Sequence, residues 1–185
     1  MARANRAPFR DLRPGRSLPS GATHSKSLVY QVPAPEEAQA RARYVLNYLR
    51  QQTVGMTTDQ QRGFVLGELR KINPFVLEEL LLHVFADANH PVERPKYVAD
   101  GGIDGAVLLH DELILIQTKR YNREIEAEHV AQFVNVVQQH SEATGGLFIH
   151  TGRTNIEANY YIRKSEGLVQ ILSGDPLVTF ILCGL

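Results

Sequence analysis

The tightest constraint on the fold comes from a run of residues that changes character at its end. Leu113-Ile114-Leu115-Ile116 is wholly apolar, and it gives way at once to Gln117, Thr118, Lys119 and Arg120. The run reads as a buried strand, and polar groups buried at its end cost free energy unless they are paired or bind something. Just upstream, Asp104 sits among glycines in Asp100-Gly101-Gly102-Ile103-Asp104-Gly105. The stretches Ile103–Leu109 and Leu113–Lys119 are expected to form a β-hairpin around His110-Asp111-Glu112.

The length of that loop decides what the hairpin can do. Gln117 and Lys119 are two positions apart, so on a strand they share a face. Directly opposed residues of an antiparallel pair also share a face. A two-residue loop at His110-Asp111 sets Asp104 opposite Gln117, and one at Asp111-Glu112 sets it opposite Lys119. A three-residue loop would send Asp104 to the wrong side. The expectation is an even loop, or a bulge at Gly105 that restores the parity.

Around the hairpin the chain alternates element types. Pro35-Glu36-Glu37 opens a helix to about Arg50, with Ala38, Ala42, Val45, Leu46 and Leu49 at helical spacing. Gly55 ends that segment, and Thr58 reads as the cap of a second helix, Asp59 to about Ile72. Asn73-Pro74 starts a third, Pro74–Ala86, apolar enough to be buried on several sides. Glu78 and Glu79 interrupt its greasy surface, one expected to face water and the other a candidate for the site. Beyond the hairpin come a helix from Glu126 to about Ala143, a strand at Leu147–Ile149, and a helix capped by Thr154 running to about Lys164. A strand at Leu168–Leu172 and a helix after Ser173-Gly174-Asp175-Pro176 close the chain. From residue 74 the order is α-β-β-α-β-α-β-α, which predicts an α/β fold with a mixed sheet and helices on both faces. The expected organisation is a disordered basic arm over 1–27, a helical N-terminal segment over 28–72, and the core over 73–185.

A chain of 185 residues suits one domain with an appendage. Its net charge of zero hides an asymmetry. Residues 1–26 carry Arg3, Arg6, Arg10, Arg13, Arg16 and Lys26 against Asp11 alone, so the arm is +5 and the body −5. Such an arm either grips phosphates or is a solvated tail. The single cysteine, Cys183, excludes a disulfide framework and reads as a small buried hydrophobe. The seven histidines offer no zinc-protease spacing, and the glycines lack the Lys-Ser/Thr of a phosphate-binding loop. No apolar run reaches membrane-spanning length and no secretory signal opens the chain, so a cytoplasmic protein with no membrane partner is expected.

A carboxylate, an amide oxygen and a free main-chain carbonyl make an oxygen-rich site for a hard cation, Mg2+ first and Mn2+ as an alternative. A lysine beside it can orient or deprotonate an attacking water while the cation stabilises charge on a phosphate. Glycines around Asp104 would let a phosphodiester approach the backbone. These features together suit phosphodiester hydrolysis.

The pairing of Asp100-Gly101-Gly102-Ile103-Asp104-Gly105 with Gln117-Thr118-Lys119-Arg120-Tyr121 resembles the Mrr-type restriction endonuclease catalytic domain. That group belongs to the PD-(D/E)xK nuclease superfamily and carries Gln where most relatives carry an acid. The resemblance continues through Gly146-Leu147-Phe148-Ile149-His150-Thr151 and Leu168–Leu182, and covers about residues 74–182. It implies a restriction-endonuclease-like sheet flanked by helices, and a metal-dependent DNA endonuclease of restriction or defence type. In that picture Asp104 is the metal-binding carboxylate, Gln117 replaces the second acid, and the Thr118 carbonyl is a further ligand. Lys119 handles the attacking water, and Glu78 fits the family's helix glutamate better than Glu79. Arg120 and Arg123 are candidates for contacts to DNA phosphates. Cutting both strands would take two such centres, hence a homodimer or paired assembly. Two other readings stay open: a junction- or end-processing nuclease of a mobile element or repair system, and a non-cutting nuclease-fold subunit of a larger complex.

Overall fold

The computed structural model describes residues 32–94 and 102–184. The basic arm, Asp100 and Gly101 lie outside the described residues. Three helices come first: α1 (Pro35–Gln52), α2 (Thr58–Leu69) and α3 (Pro74–Asp87). Pro35 stands at the start of α1 with Glu36 and Glu37 in its first turn, where a missing N–H is harmless and acids oppose the helix dipole. Its buried stripe is Ala38, Ala42, Val45, Leu46 and Leu49, as the spacing predicts. The cap of α2 is Thr57, one residue before the expected Thr58. Thr57 Oγ1 accepts from Gln60 N while the Gln60 side chain accepts from Thr57 N, a reciprocal arrangement that satisfies two orphan donors. Helix α2 ends at Leu69, short of the expected Ile72, which leaves Arg70 to Asn73 as the turn into α3. Asn73 caps α3, accepting from Phe75 N at 2.9 Å.

The rest of the described chain runs β1 (Val92–Glu93), β2 (Gly105–Leu109), β3 (Glu112–Lys119), α4 (Ala127–Gln139), β4 (Gly145–His150), α5 (Ile156–Lys164), β5 (Val169–Leu172) and α6 (Gly174–Cys183). The strands form a single five-stranded sheet in the order β1-β2-β3-β4-β5. The β1–β2 and β2–β3 pairs are antiparallel, whereas β3–β4 and β4–β5 are parallel. Parallel neighbours need long crossovers, and α4 and α5 supply them. One core packs α1, α2, α3 and α6 against Val107, Ile116 and Ile149. The other packs α4 and α5 against Ala106, Leu115, Phe148 and Val169. The mixed sheet with helices on both faces is therefore present.

Several details differ from the sequence expectations. Strand β1 was not expected; two residues carry no readable period. Helix α4 stops at Gln139 because His140 turns extended, at φ −82° and ψ 110°. Helix α5 is capped by Asn155, which accepts from Ala158 N at 2.8 Å, whereas the Thr154 hydroxyl meets His150 Nε2 and Ser173 Oγ. Cys183 is exposed rather than buried. Among the described residues no helix is long and apolar enough to cross a membrane.

The hairpin loop has two residues, His110 and Asp111, with φ of 51° and 66°. Positive φ at both positions gives the turn whose twist matches the flanking strands. The register runs from Leu109 opposite Glu112 to Gly105 opposite Ile116. One further step brings Asp104 level with Gln117, so the loop is even.

Candidate active site

At the end of β3 the antiparallel ladder stops and the site begins. The Asp104 N–H donates to Ile116 O at 2.8 Å, and its carboxylate reaches across to β3, where Oδ2 accepts from Thr118 N at 2.6 Å. Burial pushes the Asp104 carboxyl up to about 6, against the opposing pull of the Thr118 hydrogen bond and the Lys119 charge.

Gln117 is buried, and its Nε2 donates to Gly102 O. A carbonyl can only accept, so the amide nitrogen must face Gly102 and the amide oxygen must turn away. That oxygen, Oε1, is buried with no hydrogen-bond partner among the described residues. An unsatisfied buried acceptor costs about 1–3 kcal/mol, and a bound cation or donor would offset the cost. Gly102 is required here twice over. Its φ is +85°, and a Cβ would sit 2.5 Å from Gln117 Nε2. The space at Gly102 is thus filled by the protein's own amide, not left open to a phosphodiester. Gly105 serves packing in the same way, since a Cβ there would lie 2.8 Å from Leu82 Cδ2.

Helix α3 brings a second carboxyl group to this point. Glu78 is half-buried and feels the charges of both Asp104 and Lys119. Burial first, and the Asp104 charge second, push its carboxyl up to about 8, with Lys119 working the other way. Glu79 is buried beside it, and its Oε2 accepts from Arg94 Nε at 2.8 Å. Neither glutamate simply faces water. Glu78 joins the strand-end cluster, while Glu79 ties α3 to the residue after β1.

The other expected site residues divide. Thr118 gives its N–H to Asp104, and alternation along β3 sends its side chain to the opposite face from Gln117 and Lys119. Arg120 spends Nη1 on two carbonyls of the α2–α3 turn, Arg70 O at 3.0 Å and Ile72 O at 3.2 Å. Arg123 is exposed.

Three features were missed in the sequence. His150 lies beside Lys119 in the β3–β4 register and is wholly buried. Burial alone pushes its imidazole down to about 4; Nε2 meets Thr154 Oγ1 at 3.0 Å, and Nδ1 has no hydrogen-bond partner among the described residues. Tyr121 OH meets His129 Nδ1, and burial pushes that phenol up to about 12. Arg70 grips Thr151 O through Nε at 2.9 Å and Nη2 at 2.6 Å. The Arg70–Thr151 contact and the place of His150 beside Lys119 join segments far apart in the chain, so no local pattern announces them.

Among the described residues there is no group of three or more His, Cys, Asp or Glu side chains able to hold a metal. What the site offers is an oxygen set: the Asp104 and Glu78 carboxyl groups and the orphaned Gln117 Oε1. Such donors fit a hard divalent cation and not a thiolate- or imidazole-seeking one.

A family model for Mrr catalytic domains, described as a restriction endonuclease, matches residues 69–181. No curated protein matches the chain. Among solved structures, the chain is similar to the MspJI restriction endonuclease in complex with a 27-mer oligonucleotide, at 18% identity and a TM-score of 0.40. The match covers 82% of this chain and 34% of that one, so the chain spans about a third of that protein's length.

Proposed function

Because the chain belongs to the Mrr catalytic-domain family of restriction endonucleases, we propose that it hydrolyses DNA phosphodiester bonds with a divalent cation, Mg2+ or Mn2+. The observation that carries this reading is the buried Gln117 Oε1, turned away from Gly102 and without a hydrogen-bond partner among the described residues, on the residue level with Asp104 across the hairpin. Asp104, Gln117 Oε1 and the Thr118 main-chain carbonyl would hold the cation, with Glu78 in support. When bound, a divalent cation supplies charge neutralisation for the phosphate and a lowered water pKa.

The protein's own groups do the rest. Lys119 orients the attacking water from the strand end, next to the two carboxyl groups whose charge it balances. Burial, with the Asp104 charge, raises the Glu78 carboxyl to about 8, so it favours the protonated form at neutral pH and would ionise were a cation held beside it. The hydrogen bond from Thr118 N keeps Asp104 Oδ2 fixed against β3 and so holds the carboxylate in one orientation. Arg123, exposed beyond the strand end, is the proposed phosphate contact on this rim, and Arg120 braces the site from behind. A restriction or defence role needs both strands cut, which calls for a second copy or a paired assembly.

The test is nicking of supercoiled plasmid with Mg2+ and with a chelator, for the wild type, Asp104→Ala and Lys119→Ala. Chelator and both substitutions should abolish nicking. Cleavage that survives Asp104→Ala and Lys119→Ala together would refute the centre.

A further inference from the structure

Thr151 spends every polar atom it has on the end of the catalytic strand and the turn before α3. It is 1% exposed. Its N–H donates to Lys119 O at 3.3 Å, and its Oγ1 accepts from Tyr121 N at 3.0 Å while donating to Tyr121 O at 2.9 Å. Thr151 therefore grips both chain neighbours of Arg120. The Arg120 side chain leaves this grip to bind Arg70 O and Ile72 O. The Arg70 guanidinium closes the loop by placing two N–H groups on Thr151 O.

The result is a closed ring of hydrogen bonds through Thr151, Arg120 and Arg70. Its outer corner is Ile72, immediately before the Asn73 cap of α3, and Glu78 lies in the second turn of that helix. Its inner corner is Lys119. A planar guanidinium bridging two acceptors is stiff in a way a lysine is not. The ring thus ties the turn that leads into α3 to the end of the strand that carries Lys119.

We infer that Arg70, Arg120 and Thr151 are positioning residues that set the Glu78 carboxyl group against the Asp104–Lys119 pair. The inference rests on the nuclease reading of that cluster. None of the three touches the reacting atoms; they act through Glu78 and Lys119. A small misplacement of a supporting group is enough to cost orders of magnitude in rate.

The experiment uses the full chain, with Mn2+ binding followed by electron paramagnetic resonance and nicking of supercoiled plasmid. Thr151→Val removes the hydroxyl at constant shape, Thr151→Ser restores it, and Arg120→Lys keeps charge while losing the bridge. Thr151→Val and Arg120→Lys should each weaken Mn2+ binding by about tenfold and lower kcat by roughly 10- to 100-fold with little change in KM. Thr151→Ser should recover both. In a Glu78→Gln background, Arg120→Lys should add nothing to the Mn2+ deficit. Variants that melt earlier yet keep wild-type kcat and Mn2+ affinity well below their Tm would overturn the positioning role, as would additive deficits with Glu78→Gln. A wild-type chain that neither binds Mn2+ nor nicks DNA would overturn the nuclease reading instead. The ring would then be judged by hydrogen exchange at the Phe75 and Leu77 amides. Faster exchange in Thr151→Val would support the ring, and unchanged exchange would overturn it.

Discussion

The Gly102 carbonyl receives the Gln117 amide at a spot where any other residue at 102 would collide with that same nitrogen. Backbone and side chain are fitted to each other, and the fit decides which way the amide oxygen points. Gly102→Ala should therefore act on the site and on stability together. A Cβ at positive φ costs about 1–2 kcal/mol before any clash is counted. Thermal denaturation should show that loss, and Mn2+ titration should show affinity reduced by about tenfold or more. Wild-type affinity in Gly102→Ala would mean that Gln117 is not held from this side.

The two raised carboxyl groups predict a direction for stability against pH in the absence of metal. Both Asp104 and Glu78 hold protons more tightly in the fold than in the unfolded chain. Their contribution is fully present below pH about 4 and is lost as pH rises through about 6 and about 8. The metal-free protein should thus lose stability on this account between pH 4 and 8, and Glu78→Gln should flatten the upper half of the slope. Melting curves across this range in chelator would check it. Cation binding should strengthen over the same interval and release protons, as calorimetry in buffers of different ionisation enthalpy would show.

His150 works in the opposite sense. Its folded-state value is depressed to about 4, so the stability it supplies is present above the ordinary histidine range and lost as pH falls toward 4. The imidazole carbon-bound protons, followed by NMR, should show no titration between pH 7 and 5. A midpoint near 6.5 would mean that water reaches the ring.

The neighbouring glutamates should separate cleanly. Glu79→Gln removes the partner of Arg94 from a buried position, and stability should fall by about 1–3 kcal/mol while Mn2+ affinity stays near wild type. Glu78→Gln should do the reverse, sparing or raising metal-free stability and weakening Mn2+ binding. Measuring both variants by melting and by Mn2+ titration settles which glutamate supports the site. Exchanged outcomes would reassign the role to Glu79.

The basic arm offers a test by truncation. Removing residues 1–26 takes away +5 from a body of −5. DNA affinity should fall and the salt dependence of binding should flatten, read from fluorescence anisotropy at several salt concentrations. Unchanged binding would make the arm a solvated tail.

What could be read in the sequence was what local chemistry writes there. Asn73-Pro74 announces α3 because a cap and a proline act within one turn. An even loop followed from side-chain alternation, with His110-Asp111 and Asp111-Glu112 both open, and the register selects His110-Asp111. The helix faces followed from period. Elsewhere neighbours compete: Thr57 prevails over Thr58 because Gln60, three residues on, completes its capping box. Between Thr154 and Asn155 the choice falls to tertiary contacts, since the Thr154 hydroxyl is taken by Ser173 and His150. Strand β1 exists only because Val92 and Glu93 meet Val107 and Ala106. Within the site, the grouping of Asp104 with Lys119 was legible from the hairpin. The hold of Gly102 on Gln117, the Arg70–Thr151 contact and the burial of His150 were not, because each depends on how distant segments pack.

The switch from antiparallel to parallel pairing at β3 has a consequence for how the molecule assembles. The β2–β3 hairpin closes a two-residue loop, so Asp104 and Lys119 can meet through contacts local in the chain. Strands β4 and β5 must wait for whole helices to cross over, and long loop closures are slow. Glu78 reaches the cluster only when α3 docks on the sheet. The burial and the Asp104 charge that raise its carboxyl are therefore absent while the hairpin forms. The least comfortable group of the site comes in on a helix whose leucines and phenylalanines drive the docking.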